Sequence, residues 1–151
     1  MRLPATADRV PRHTAPEVNE RIRLRTVESI SRVRAGGPEA ISRRLDALDH
    51  EWDIERAIEA NASAIAFTGV ALGVITGKRR WFALPALVTG FLFQHAIQGW
   101  CPPVPILRRL GFRTSYEIEQ ERQALKALRG DFDGIANASD KPSAALRAAR
   151  A

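Results

Sequence analysis

The chain has 151 residues, enough for one ordinary domain, with 23 Lys and Arg against 17 Asp and Glu and a net charge of +6. Its single cysteine excludes an intramolecular disulfide, and its basic balance points to an anionic partner, either nucleic acid or the charged face of a membrane. The mean hydropathy of -0.21 hides a partition: charges crowd residues 1–59 and 108–151, and the middle is almost free of them.

Residues 1–13 are rich in Pro and Arg and are expected to form a mobile arm. They lack the apolar core of a secretory leader, so internal apolar segments must do any membrane targeting. Residues 14–59 read as amphipathic helices. Thr14-Ala15-Pro16-Glu17 has capping-box spacing with proline in the first turn, and Gly36-Gly37 closes that helix. Pro38 opens a second helix, in which Ile41, Leu45, Leu48 and Trp52 fall on one stripe. No Gly or Pro interrupts Glu39 to Thr68, so this helix is expected to run on into the apolar region.

Two uncharged segments follow, Ala60–Gly77 and Trp81–Trp100, separated by Lys78, Arg79 and Arg80. At about 1.5 Å rise per residue they span roughly 27 and 30 Å, close to the hydrocarbon thickness of a bilayer. Trp81 and Trp100 sit where an aromatic belt would place them. The fold expected is therefore an all-α membrane protein: a two-helix transmembrane hairpin (60–107) flanked by amphipathic cytoplasmic helices. Six basic residues flank the hairpin (Arg43, Arg44, Arg56, Arg108, Arg109, Arg113) against three in its turn, which favours both termini in the cytoplasm. Thr114-Ser115-Tyr116-Glu117 opens a cytoplasmic helix over 108–130 that Gly130 stops, and 131–151 reads as a disordered tail.

Three features of the hairpin are candidates for function. Gly69, Gly73 and Gly77 recur every fourth residue, a packing line for the second crossing or for another protomer. Asn61, Gln94, His95 and Gln98 are expected to form a polar intramembrane cluster, as helix–helix glue or as a relay. Cys101, just past Trp100, is either a buried structural thiol or a reactive one. No nucleotide-binding loop, catalytic triad pattern or metal-ligand cluster is visible. The sequence thus predicts no enzyme, no cofactor and no metal, with membrane lipid, a second copy and an unknown protein as partners. A basic nucleic-acid-binding helix carrying Arg21, Arg23, Arg25, Arg32 and Arg34 is the soluble alternative, diluted by Glu17, Glu20 and Glu28 and lacking a recognition motif.

Asn61, the Gly99-Trp100-Cys101-Pro102 step and Leu110-Gly111 together resemble the YgaP-like transmembrane domain family of bacterial inner-membrane proteins, over roughly residues 51–114. That resemblance implies a dimer-capable helical hairpin in the inner membrane and no catalytic residue. Some members are fused to a rhodanese, a sulfurtransferase, which this chain lacks. A sulfur- or thiol-handling accessory role for Cys101 follows as the alternative function.

Overall fold

The structure, a computed structural model, describes residues 5–150. Residues 1–4 of the expected arm and residue 151 of the expected tail lie outside the described residues. Among the described residues every regular element is helical. The chain divides into two units: one holds the residues up to Ile22 together with Trp52–Ser115, the other holds Arg23–Glu51 and the residues from Tyr116 on.

The first unit is built on a helical hairpin. Helix α3 (Ile54–Thr76) starts at Asp53, whose carboxylate accepts a 2.7 Å hydrogen bond from Arg56 N, and ends at Gly77 with φ 65°. A one-turn 3-10 helix, Arg79–Phe82, leads into α4 (Ala83–Gln98), which Gly99 terminates with φ 80°. The two helices pack on each other because α3 removes its side chains where α4 arrives. A Cβ at Gly69 would lie 2.6 Å from Pro85 Cδ and 2.9 Å from Leu84 Cβ; one at Gly73 would lie 2.8 Å from the Phe82 ring. The glycine line therefore seats the second arm of the same chain. Gly77 departs from the expected packing role: a Cβ there meets nothing within 4 Å, and the residue serves as a left-handed helix stop.

Short helix α5 (Val104–Leu110) returns against α3. Val10, Ile54, Ile58, Cys101 and Val104 form the core here, with Phe91, Leu92, Leu107 and Phe112 packed around it. Val10 is only 1% exposed, so the expected mobile arm is, from residue 5 onward, part of the fold. A turn and the 3-10 helix Pro11–His13 bring it in. Thr14 does not act as the expected cap. Its hydroxyl donates to Val10 O at 3.0 Å and accepts from Arg108 Nε at 3.2 Å, and α1 (Pro16–Ala35) begins from Ala15 O, which accepts from the N–H groups of Val18 and Asn19.

In the second unit, Ile41, Leu45 and Leu48 of α2 (Gly37–Asp49) pack with Ile118 and Leu125 of α6 (Ser115–Arg129) and with Ile30 and Val33 of α1. The expected run-on of α2 into the apolar region does not occur. The chain leaves the helix at His50 and re-enters it after Asp53, and that break separates Ile41, Leu45 and Leu48 from Ile54 and Ile58, which serve the other core. Trp52, assigned to the stripe from its spacing, lies in the break and is exposed beneath Arg56, whose guanidinium sits 4.7 Å from its ring centroid. The helix expected over 108–130 is shorter: residues 108–110 belong to α5, which Gly111 ends, and α6 starts at Ser115 and stops before Gly130, at φ 89°. The tail is not featureless: α7 (Lys141–Arg150) has Asp140 at its start, accepting from Ser143 N at 3.2 Å, and buries Ala148. Lys126 Nζ donates to Ala149 O at 2.6 Å.

Candidate functional site

One group of polar side chains in the first unit, Arg9, Glu55 and His95, lies at the open end of the hairpin, where α4 stops. Arg9 reaches across it: Nη1 donates to Ala96 O at 2.9 Å, and Nη2 pairs with Glu55 Oε1 at 3.4 Å. Gly99 allows this approach, because a Cβ there would collide with the Arg9 carbonyl and lie 2.7 Å from Arg9 Cβ. His95 is buried, with Nδ1 3.6 Å from Cys101 Sγ, and Cys101 is buried as well. Arg9 Nε, Glu55 Oε2 and His95 Nε2 are buried with no hydrogen-bond partner among the described residues.

Of the expected cluster of Asn61, Gln94, His95 and Gln98, the structure brings together only part. Gln94 Nε2 donates to Gln98 Oε1 at 3.4 Å, one helical turn along α4. Asn61 Nδ2 instead donates to Ala57 O of its own helix at 2.7 Å. His95 turns toward Cys101 and Arg9. Helical periodicity placed the three α4 residues on neighbouring faces; it carried no information about Arg9, which arrives from a segment assigned to a mobile arm.

Below α5 a second knot ties the unit together. Arg108 is 1% exposed; Nη1 donates to Phe112 O at 3.0 Å and Nη2 to Asn19 Oδ1 at 2.9 Å, beside its bond to Thr14. Asn19 Nδ2 donates to Pro11 O at 2.9 Å, and Ile54 N donates to Arg113 O at 2.8 Å. Arg108 reads from sequence as an interfacial charge. Its neighbour Arg109 is exposed and fits that description, whereas Arg108 spends its donors on fixed acceptors.

The chemistry open to this end is narrow. Cys101 and His95 offer one soft sulfur and one borderline nitrogen donor, and no group of three or more His, Cys, Asp and Glu that can hold a metal occurs among the described residues; a structural zinc site needs four ligands. A nucleophilic Cys–His pair needs a third group on the far imidazole nitrogen to orient it. His95 Nε2 has no such partner among the described residues, and Glu55 is engaged with Arg9.

Beside these polar groups lies a groove of about 450 Å³ between α3, α4 and α5, with Ile58, Asn61 and Ile65 on one wall, Leu87, Val88 and Phe91 on another, and Cys101 and Ile106 at one end. Comparison of the chain with family models, with curated proteins and with solved structures gives no match.

Among the described residues one helical stretch is, by length and composition, long and apolar enough to cross a membrane. It falls within Gly37–Thr76, which contains an 18-residue window of mean hydropathy 1.6, 17% buried. Charges fill α2, so α3 carries that window.

Proposed function

We propose that this chain is a small bacterial inner-membrane protein of structural or interaction type, whose α3–α4 hairpin crosses the bilayer twice with both termini in the cytoplasm. The observation that supports it best is the outward surface of the hairpin. Phe67 is 74% exposed, Ile75 80% and Phe93 69%, with Ile65, Val70, Val74 and Leu87 also outside. From Ala60 to Thr76 and along α4 no charged side chain interrupts that surface. So large an uncharged, mainly apolar surface, on which the Thr68, Thr76 and Thr89 hydroxyls turn back to carbonyls of their own helices, is unfavourable in water and favourable in lipid. Helix α4, with 16 residues, spans only about 24 Å, and the 3-10 turn before it supplies the remaining depth, with Trp81 at its foot. The resemblance to the YgaP-like family, carried by Asn61, Gly99, Cys101, Pro102, Leu110 and Gly111, belongs to this proposal. Self-association of the hairpin does too, but through its outward faces, since Gly69 and Gly73 are already filled by Leu84, Pro85 and Phe82.

The test is alkaline carbonate extraction of cell membranes followed by topology labelling. In a Cys101→Ser background, single cysteines at Arg79 and at Tyr116 are exposed to a membrane-impermeant maleimide in intact spheroplasts. Labelling at 79 alone is expected. Labelling at 116 alone inverts the topology, and a carbonate-soluble protein removes the membrane reading.

A thiol-handling role is the second reading, because Cys101 Sγ faces His95 Nδ1 at 3.6 Å. It requires that a reagent reach the buried thiol.

A further inference from the structure

We infer that the groove between α3, α4 and α5 holds one acyl chain of an anionic phospholipid, with the headgroup phosphate at Arg109. The inference rests on the membrane reading above and goes on to name the ligand.

Its first support is size and lining. At about 450 Å³ the groove falls in the range of roughly 300–1,000 Å³ typical of small-molecule sites. Its walls are aliphatic and aromatic, with no charged side chain. Of its two polar residues, Asn61 already donates to Ala57 O and Cys101 already faces His95. A polar ligand would find little to bond here, whereas a hydrocarbon chain would meet apolar contacts along its length. From Ile58 to Ile65 the wall is about 10 Å long at roughly 1.5 Å per residue, the dimension of a chain segment.

Its second support is a charge one helical turn from the lining. Ile106 lines the groove and is 61% exposed. Arg109 follows it by three residues on α5, so the two side chains are neighbours on one helix face. Unlike Arg108, Arg109 is exposed and turned to the surroundings. A guanidinium one helical turn from a lining residue of an uncharged groove complements a phosphate whose chain enters that groove. Continuity is the third support: the groove wall includes Ile65 and Leu87, which also belong to the lipid-facing surface, so a bilayer chain can enter sideways.

Native mass spectrometry of the full chain, released from detergent micelles doped with palmitoyl-oleoyl phosphatidylglycerol or the phosphatidylcholine of the same chains, tests this. One phosphatidylglycerol per chain is expected to remain, with phosphatidylcholine retained about tenfold less. Ala62→Trp and Val88→Phe, two independent ways to fill the groove, are expected to lose the adduct while keeping the wild-type melting temperature in lipid-free micelles; the proposal needs only one of them folded. Arg109→Gln is expected to lose the preference for phosphatidylglycerol and keep chain binding. An unchanged adduct in a folded groove-filling variant overturns the proposal, as does a chain dimer that the same variant dissolves, because a second copy then fills the groove. A protein that stays in carbonate-washed membranes yet carries no lipid overturns this proposal alone; one released by carbonate removes the membrane reading with it.

Discussion

Arg9 lies directly against Gly99: the carbonyl of the one occupies the space where the other would carry a Cβ. That contact joins the N-terminal segment to the end of α4 and lets the Arg9 guanidinium reach Ala96 O and Glu55. It also gives Gly99 two separate reasons to be glycine. Its φ of 80° alone costs a side chain about 1–2 kcal/mol, and the collision adds to this. Gly99→Ala is therefore expected to lower the melting temperature in detergent far more than Gly77→Ala, which shares the left-handed φ but has nothing within 4 Å of its Cβ position. Because the obstacle is backbone, Arg9→Ala in the same chain should not rescue Gly99→Ala. Equal losses at the two glycines would mean that Arg9 does not sit there.

Gly73→Ile is expected to disrupt the hairpin itself rather than a dimer. The Phe82 ring occupies the space that the new side chain needs, and overpacking of this kind costs about 1–3 kcal/mol. Limited proteolysis should show the Lys78–Trp81 turn becoming cleavable, with no change of mass by light scattering at equal detergent. Gly90→Ala, on the open face of α4, is the control and should leave both readings unchanged. A dimer that dissociates in Gly73→Ile while the turn stays protected would return the glycine line to an intermolecular role.

Cys101 is 2% exposed, behind Val10 and Val104. Maleimide labelling of the folded protein is expected to be slow and to become rapid only once the chain is unfolded in dodecyl sulfate. Rapid labelling of the folded state at neutral pH, lost in His95→Phe, would instead favour the thiol-handling reading.

The hairpin was legible because its signals are local: two charge-free runs, a three-residue basic turn, and glycines in helical register. The second-unit core was legible for the same reason, since Ile41, Leu45 and Leu48 recur at helical spacing and meet one another on one face. Composition marks the arm as polar, whereas one residue decides its fate: Val10 fills a core built by residues more than forty positions away. Arg108 is hidden from local sequence in the same way. An arginine beside an apolar run looks interfacial, and only the return of Thr14 and Asn19 to α5 shows that its donors are spent inside the fold. The break at residues 50–53 has no Gly or Pro to announce it. It is held by the Asp53 cap and by Ile54 N bonding to Arg113 O, one local contact and one distant one.

Arg129 binds Asp131 through Nε at 2.7 Å and Nη2 at 2.6 Å while its Nη1 donates to Ser42 Oγ at 3.0 Å, tying the end of α6 to α2. The hydrogen bonds from Arg129 hold the Asp131 carboxyl below its ordinary range. A carboxyl with a lower pKa when folded contributes stability above its unfolded value, about 3.9, and loses it as pH falls from there through the folded value. Chemical unfolding of the full chain between neutral and strongly acidic pH is expected to show this acid limb, shallower in Asp131→Asn. Identical pH profiles would mean that the fork does not form.

Glu121 is a fully buried carboxylate of the second unit. Arg44 meets it with Nε and Nη2, both at 2.9 Å, and Ser29 Oγ donates at 2.8 Å. Arg44 itself is partly open to solvent and also reaches Glu51 at 3.3 Å. The two halves of the pair are therefore unequal. Removing Arg44 takes the guanidinium from a buried carboxylate that keeps Ser29, whereas removing Glu121 leaves a guanidinium that keeps a second carboxylate and solvent. Arg44→Met is expected to cost about 3 kcal/mol of unfolding free energy, the lower end for breaking a buried pair. Glu121→Leu is expected to cost clearly less, because an apolar side chain in place of the carboxylate suits the neighbouring Ile118 and Leu125 cluster. Denaturant titration of the two single variants decides it, and a larger loss for Glu121→Leu would show that the carboxylate, with Ser29 and its other contacts, organises the helices rather than depending on Arg44.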